Sequence, residues 1–138
     1  MNQANELEDR LIEFAVRIIT LVTALPDTPA AKHIGRQLLR SGTSPAPNYA
    51  EARGAESNAD FVHKLKVALK ELNETSVWLK MLCRANLITP HRVEELIDEN
   101  QQLCRILNSS TKTAKENQSD KNSRLSLKTD KSKLTNQN

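Results

Sequence analysis

The chain has 138 residues, enough for one domain with at most a tail, and carries a net charge of +3 with a pI near 9.0. The basic balance belongs to the C-terminus: from Asn108 onward seven Lys/Arg stand against three acids, which leaves the first 107 residues at −1. A body without charge bias argues against a strongly basic nucleic-acid-binding domain, and two cysteines in different predicted helices are too few for a zinc site.

Residues 1–6 lack the basic n-region and apolar core of a signal peptide. The longest apolar stretch, Ile18 to Leu25, is broken by Thr20 and Thr23 and is too short to span a bilayer. A cytoplasmic protein with no membrane partner is expected, with Cys83 and Cys104 reduced and part-buried.

Leu7, Leu11, Phe14, Ile18, Val22 and Leu25 recur at steps of three and four, the mark of one apolar helix face. Ala15, Ile19 and Leu21 widen that face beyond what one bundle needs. Pro26 and Pro29 end the helix, and Asp27 or Thr28 can cap the next. The second helix carries Ile34, Leu38 and Leu39 to Arg40, where a breaker-rich polar segment, residues 40–53, interrupts the pattern. Pattern alone allows two short helices, with Ser44 capping the second and Pro45 and Pro47 in its first turn. It equally allows one kinked helix, since Leu38, Pro45, Tyr49 and Ala52 keep helical phase.

After a turn at residues 54–59, Phe61, Leu65, Ala68, Leu72, Thr75, Leu79 and Leu82 mark a third helix, about 40 Å long at ~1.5 Å per residue. Thr89 and Pro90 open a fourth, which carries Val93, Leu96, Ile97, Leu103, Ile106 and Leu107. Beyond Asn108 the chain turns to Ser, Thr, Asn, Gln and Lys, which bury too little to offset their ordering entropy. No stretch alternates with period two. The expected fold is all-α: an antiparallel up-down-up-down four-helix bundle over residues 1–115. Its helices lie at about 5–25, 30–55, 59–85 and 90–115, and a disordered basic tail follows over 116–138.

Little in the chain points to catalysis or to a cofactor. A di-iron bundle needs two Glu-x-x-His motifs, and Asp60–His63 is the single acid-x-x-His match. Ser41, Thr43 and Ser44 have no histidine near in sequence and no G-x-S-x-G around them. The three glycines are isolated, so no phosphate-cradling loop exists. No metal, no cofactor and no enzymatic activity are expected. Candidate nucleic-acid contacts are Arg36, Arg53, Lys64, Lys66 and Lys70, which with Arg40 could form a basic face. Few aromatics interleave with them, so base stacking is not expected. Asn48, Glu51, Asn73, Glu74 and Ser76 sit close to apolar stripes, where polar groups need partners within or between subunits.

The stretch from Leu7 to Lys115 resembles the bacterial "four helix bundle protein" family, whose founding members are encoded by intervening sequences in large-subunit ribosomal RNA genes. The resemblance is most specific at Gln37–Ser44 followed by Asn48–Ala52, where the family writes R-S-x-T-S-[apolar]-x-x-N-x-x-E-[small]. Residues 60–65 and 70–75 also look like its third helix. The resemblance implies a single long second helix through the R-S-x-T-S segment, kinked at Pro45 and Pro47, and a ring-shaped homopentamer. It places Arg40, Ser41, Ser44, Asn48 and Glu51 at signature positions that hold helices together, with Arg40 and Glu51 partly buried. It also implies two function readings. One is a non-enzymatic homo-oligomeric assembly or adaptor protein associated with RNA or DNA, or with a ribonucleoprotein. The other is an accessory subunit of a diversity-generating retroelement, which binds a reverse transcriptase and nucleic acid.

Overall fold

The first helix, α1 (Gln3–Thr23), opens where the Asn2 side chain accepts the Asn5 amide hydrogen at 2.8 Å, and it ends just before Pro26. Thr28 caps α2 (Pro29–Thr43) in the same way, its hydroxyl accepting from the Ala31 amide at 3.2 Å. Ser57 does so for α4 (Asn58–Arg84) through Asp60, after α3 (Pro45–Arg53). At the end of α4, Asn86 takes a left-handed conformation (φ 58°) and the Leu87 amide reaches back to the Leu82 carbonyl at 3.0 Å. The chain then reverses into α5 (Pro90–Thr135). The computed structural model describes residues 2–135, and among these no strand occurs.

Between α2 and α3 the structure combines the two arrangements that the pattern allows. Ser44 keeps helical dihedrals (φ −74°, ψ −36°) and its side chain caps nothing, so the expected N-cap is not formed. The chain bends rather than turns. Pro45 and Pro47 have no N–H to offer the Ser41 and Thr43 carbonyls, which removes two rungs of the helical ladder. Hydrogen bonding resumes when the Asn48 amide donates to the Ser44 carbonyl at 3.2 Å. The second rod of the bundle is therefore α2 and α3 in succession.

Cross-helix contacts fix the register. Gly42 lies against Ile18, and Arg53 reaches Glu8, so α1 and the α2–α3 rod are antiparallel. Ser41 meets Thr75 and Glu51 meets Lys64 across to α4. Asn100 donates to the Leu72 carbonyl and Asn58 to the Ala114 carbonyl between α4 and α5. Arg10 and Arg17 of α1 pair with Glu99 and Glu95 of α5. The rods thus run up, down, up, down, with α1 diagonal to α4. The core is the set of fully enclosed side chains Leu11, Phe14, Ile18, Leu38, Leu65, Leu72, Leu79, Leu82, Val93, Leu103 and Leu107.

The C-terminal segment departs from expectation. Residues 116–135 continue α5 as helix instead of forming a disordered tail; residues 136–138 lie outside the described residues. No side chain of residues 116–133 is buried, and Lys121 to Lys133 are exposed throughout, as the composition requires. Helix is nevertheless allowed, because no Gly or Pro follows Asn108 and local bonds close. Gln118 donates to Asn122 at 2.9 Å and the Thr129 hydroxyl to the Leu125 carbonyl at 3.0 Å.

Candidate functional site

The polar segment of the sequence becomes the seam between the α2–α3 rod and α4. Ser41 is fully buried, and its Oγ lies 2.8 Å from the Thr75 hydroxyl, which is also 2.8 Å from the Glu71 carbonyl. Each hydroxyl brings one proton, and the pair consumes both inside the bundle. Arg40 stands beside it at the surface, its guanidinium 3.0 Å from Glu71 and in contact with Glu74. The hydrogen bond that Arg40 donates to Glu74, together with the charges of Glu74 and Glu71, raises the Arg40 pKa above its ordinary value. Asn48 donates to both the carbonyl and the hydroxyl of Ser44 at 2.9 Å, one turn back. Glu51 accepts from Lys64 at 2.7 Å.

All five signature positions make hydrogen bonds, and these bonds hold structure rather than reach outward. Arg40 and Glu51 are not part-buried within one chain: their side chains are 51% and 60% exposed. Both are long side chains at the rim of the seam, so their charged ends stay in water. Thr75 acts as a polar partner although it lies on an apolar stripe, which hides that role in the sequence. Asn100 is a second residue absent from the candidates. It is 1% exposed, donates to the Leu72 carbonyl at 2.9 Å and accepts from the Cys104 thiol at 3.4 Å. Its signal is present in the sequence, because Val93, Leu96, Asn100, Leu103 and Leu107 step by three and four. Burial pushes the Cys104 thiol pKa upward, and desolvation does the same to the Tyr49 phenol.

The candidate basic residues do not form one face. Arg53 pairs with Glu8 at 3.4 Å and donates to Asn5 at 2.8 Å, and Lys64 is engaged by Glu51. Arg36 is exposed near Val22 and Leu25 at the opposite end of the rod from Arg53. Lys66 and Lys70 project from the outer side of α4. Lys66 sits beside Lys115 of α5 and lowers its pKa, first through their hydrogen-bond contact and then through like charge. Among the described residues no cluster of three His, Cys, Asp or Glu could hold a metal ion, and no helix is long and apolar enough to cross a membrane. An open hollow of about 730 Å³ lies between the start of α1 and α5 and is edged by Glu6, Arg10, Tyr49 and Arg105.

Residues 4–109, the whole bundle with its polar seam, match the family described as 23S rRNA-intervening sequence protein. The chain belongs to this family. A crystal structure of a protein of unknown function from the S23 ribosomal protein family of Bacteroides thetaiotaomicron is 40% identical to it. The two superpose with a TM-score of 0.75 over 80% of this chain and 99% of the other. No curated relative matches the sequence. The family match ends at Ser109, so the projecting part of α5 lies beyond the shared bundle.

Proposed function

We propose that the protein is a non-enzymatic, homo-oligomeric assembly or adaptor protein of the cytoplasm, and that RNA, alone or in a ribonucleoprotein, is its partner. The observation that carries this reading is the division of labour among side chains. Polar groups of the seam are spent on holding helices, while large apolar groups are left facing outward. Ile12, Val16 and Ile19 of α1 are 44–47% exposed, and Val77 and Met81 of α4 are 50% and 44% exposed. A lone exposed leucine needs no explanation, but a helix-spaced stripe is a surface for a partner. A ring-shaped homopentamer is the form that the family resemblance favours.

For RNA, the support is the charge of the α5 extension. Lys121, Arg124, Lys128 and Lys131 step by three, four and three and so share one helix face, with Asp120 at its edge and Glu116 and Asp130 off it. Such a stripe contacts phosphates without reading bases, so affinity should fall steeply with salt. The test is a salt titration of RNA binding for the full chain and for a chain ending at Lys115. Removal of the extension weakens binding and flattens the salt slope. Equal affinity would move the contact to Arg36, Lys66 and Lys70, and no binding by either form would make the partner a protein.

A further inference from the structure

We propose that copies assemble head to tail, the outer face of α1 on one copy packing against the outer face of α4 on the next; this rests on the homo-oligomeric reading above. The two faces lie on diagonal helices and therefore on opposite sides of the molecule. Both helices run in the same direction, and two ties set their relative height. Ile18 stands level with Gly42, whose neighbour Ser41 meets Thr75. Near the other end, Glu8 is tied to Arg53, two residues from the Glu51 that meets Lys64. Carried along the parallel helices, these ties bring Asp9 level with residues 63–65 and Glu13 level with residues 67–69, just below Lys66 and Lys70 and within reach of their long side chains. They bring Ile19 level with residues 73–75, up to one turn below Val77.

The two faces follow the same order along the helix, acid facing base toward the N-terminal end and apolar facing apolar toward the other. On α1, Asp9, Ile12, Glu13, Val16 and Ile19 are exposed and linked by steps of three and four, acidic toward the N-terminal end and apolar above. On α4, Lys66, Lys70, Val77 and Met81 are exposed with the same kind of spacing, basic below and apolar above. Among the described residues no ion pair within the chain engages Asp9, Glu13 or Lys70, and Lys66 meets only the like-charged Lys115. The pattern favours α1 against α4 over either face against itself. A face-to-face dimer through α1 would set acid beside acid with parallel helices and acid against apolar surface with antiparallel ones, and the same holds for α4 with its lysines. A surface that pairs with a different surface of an identical copy makes a heterologous contact, the kind that closes into rings.

Charge reversal tests the pairing. Light scattering at micromolar concentration is recorded for the wild type, for D9K/E13K, for K66E/K70E, and for the quadruple variant carrying all four changes. All four positions are exposed, and far-UV circular dichroism checks that each variant keeps its helix. The expected result is an oligomer for the wild type, dissociation of both double variants with affinity weakened at least about tenfold, and recovery of the oligomer in the quadruple variant. A wild-type monomer would remove the oligomeric reading and this one with it. Double variants that stay assembled would overturn the α1–α4 pairing and leave the oligomer standing. Double variants that dissociate without recovery in the quadruple variant would also overturn it, because the two faces would then meet other surfaces.

Discussion

Gly42 shows how one residue sets the distance between two rods. A Cβ built there would stand 2.8 Å from Ile18 Cγ2 and 2.9 Å from its Cγ1. Ile18 is fully enclosed and β-branched, so it cannot swing aside. Gly42→Ala should therefore destabilise by about 1–3 kcal/mol, as overpacking does, in spite of the roughly 1 kcal/mol that alanine gains over glycine in a helix. Gly54 provides the control. Its φ is −96° and the nearest atom to an added Cβ is the Glu51 carbonyl oxygen at 3.8 Å. Gly54→Ala should stabilise by about 0.4–1 kcal/mol through the unfolded chain. Urea denaturation of both variants reads the signs, and a Gly42→Ala that stabilised the chain as Gly54→Ala does would refute the close approach of α1 and α2. In the sequence Gly42 reads only as a helix breaker. Its role is contact with a helix some twenty residues earlier, which no local pattern contains. Asn100 is the opposite case, since a polar residue in an apolar stripe is by its spacing alone a buried amide in need of a partner.

At the scale of elements, the apolar periodicity locates all four rods because burial and spacing are the same fact in a helix. It cannot choose between two helices and one at Ser44. The outcome there depends on whether the packing on either side of Pro45 and Pro47 keeps the rod together, and the Ser41–Thr75 and Glu51–Lys64 contacts do so from both sides. The α5 extension is helical against its composition for a related reason. Composition reports what a segment can bury, and a segment that buries nothing can still be helical when its backbone bonds close locally. Its stability is then local as well. Among the described side chains Ala114 is the last buried one of α5, and an isolated helix of that kind is marginal in water. Hydrogen exchange should show protection up to about Ala114 and its loss beyond, with residues 118–135 exchanging far faster than the core of α4. Protection that continued to Thr135 would mean that the extension is covered by another copy or by a partner.

At the scale of the whole molecule, the sequence displays the bundle but not its surroundings. Apolar residues facing a neighbouring helix and apolar residues facing another copy obey the same spacing. The broad stripe of α1 therefore announces excess burial without saying what supplies it. The structure separates the two sets: Leu7, Leu11, Phe14 and Ile18 are enclosed by this chain, whereas Ile12, Val16 and Ile19 are not. If those exposed residues are covered by another copy, part of the stability belongs to association and must follow mass action. The melting temperature should then rise with protein concentration, by ~3–6 °C for each tenfold increase in a chain of this size. The chain ending at Lys115 should show the same slope, because among the described side chains none beyond Ala114 is buried. Differential scanning calorimetry over a hundredfold concentration range makes the measurement. A melting temperature independent of concentration would mean that the bundle carries all of its stability alone, and the outward stripe of α1 would then belong to a different partner. A slope lost only on truncation would place the subunit contact in the extension rather than on the faces of α1 and α4.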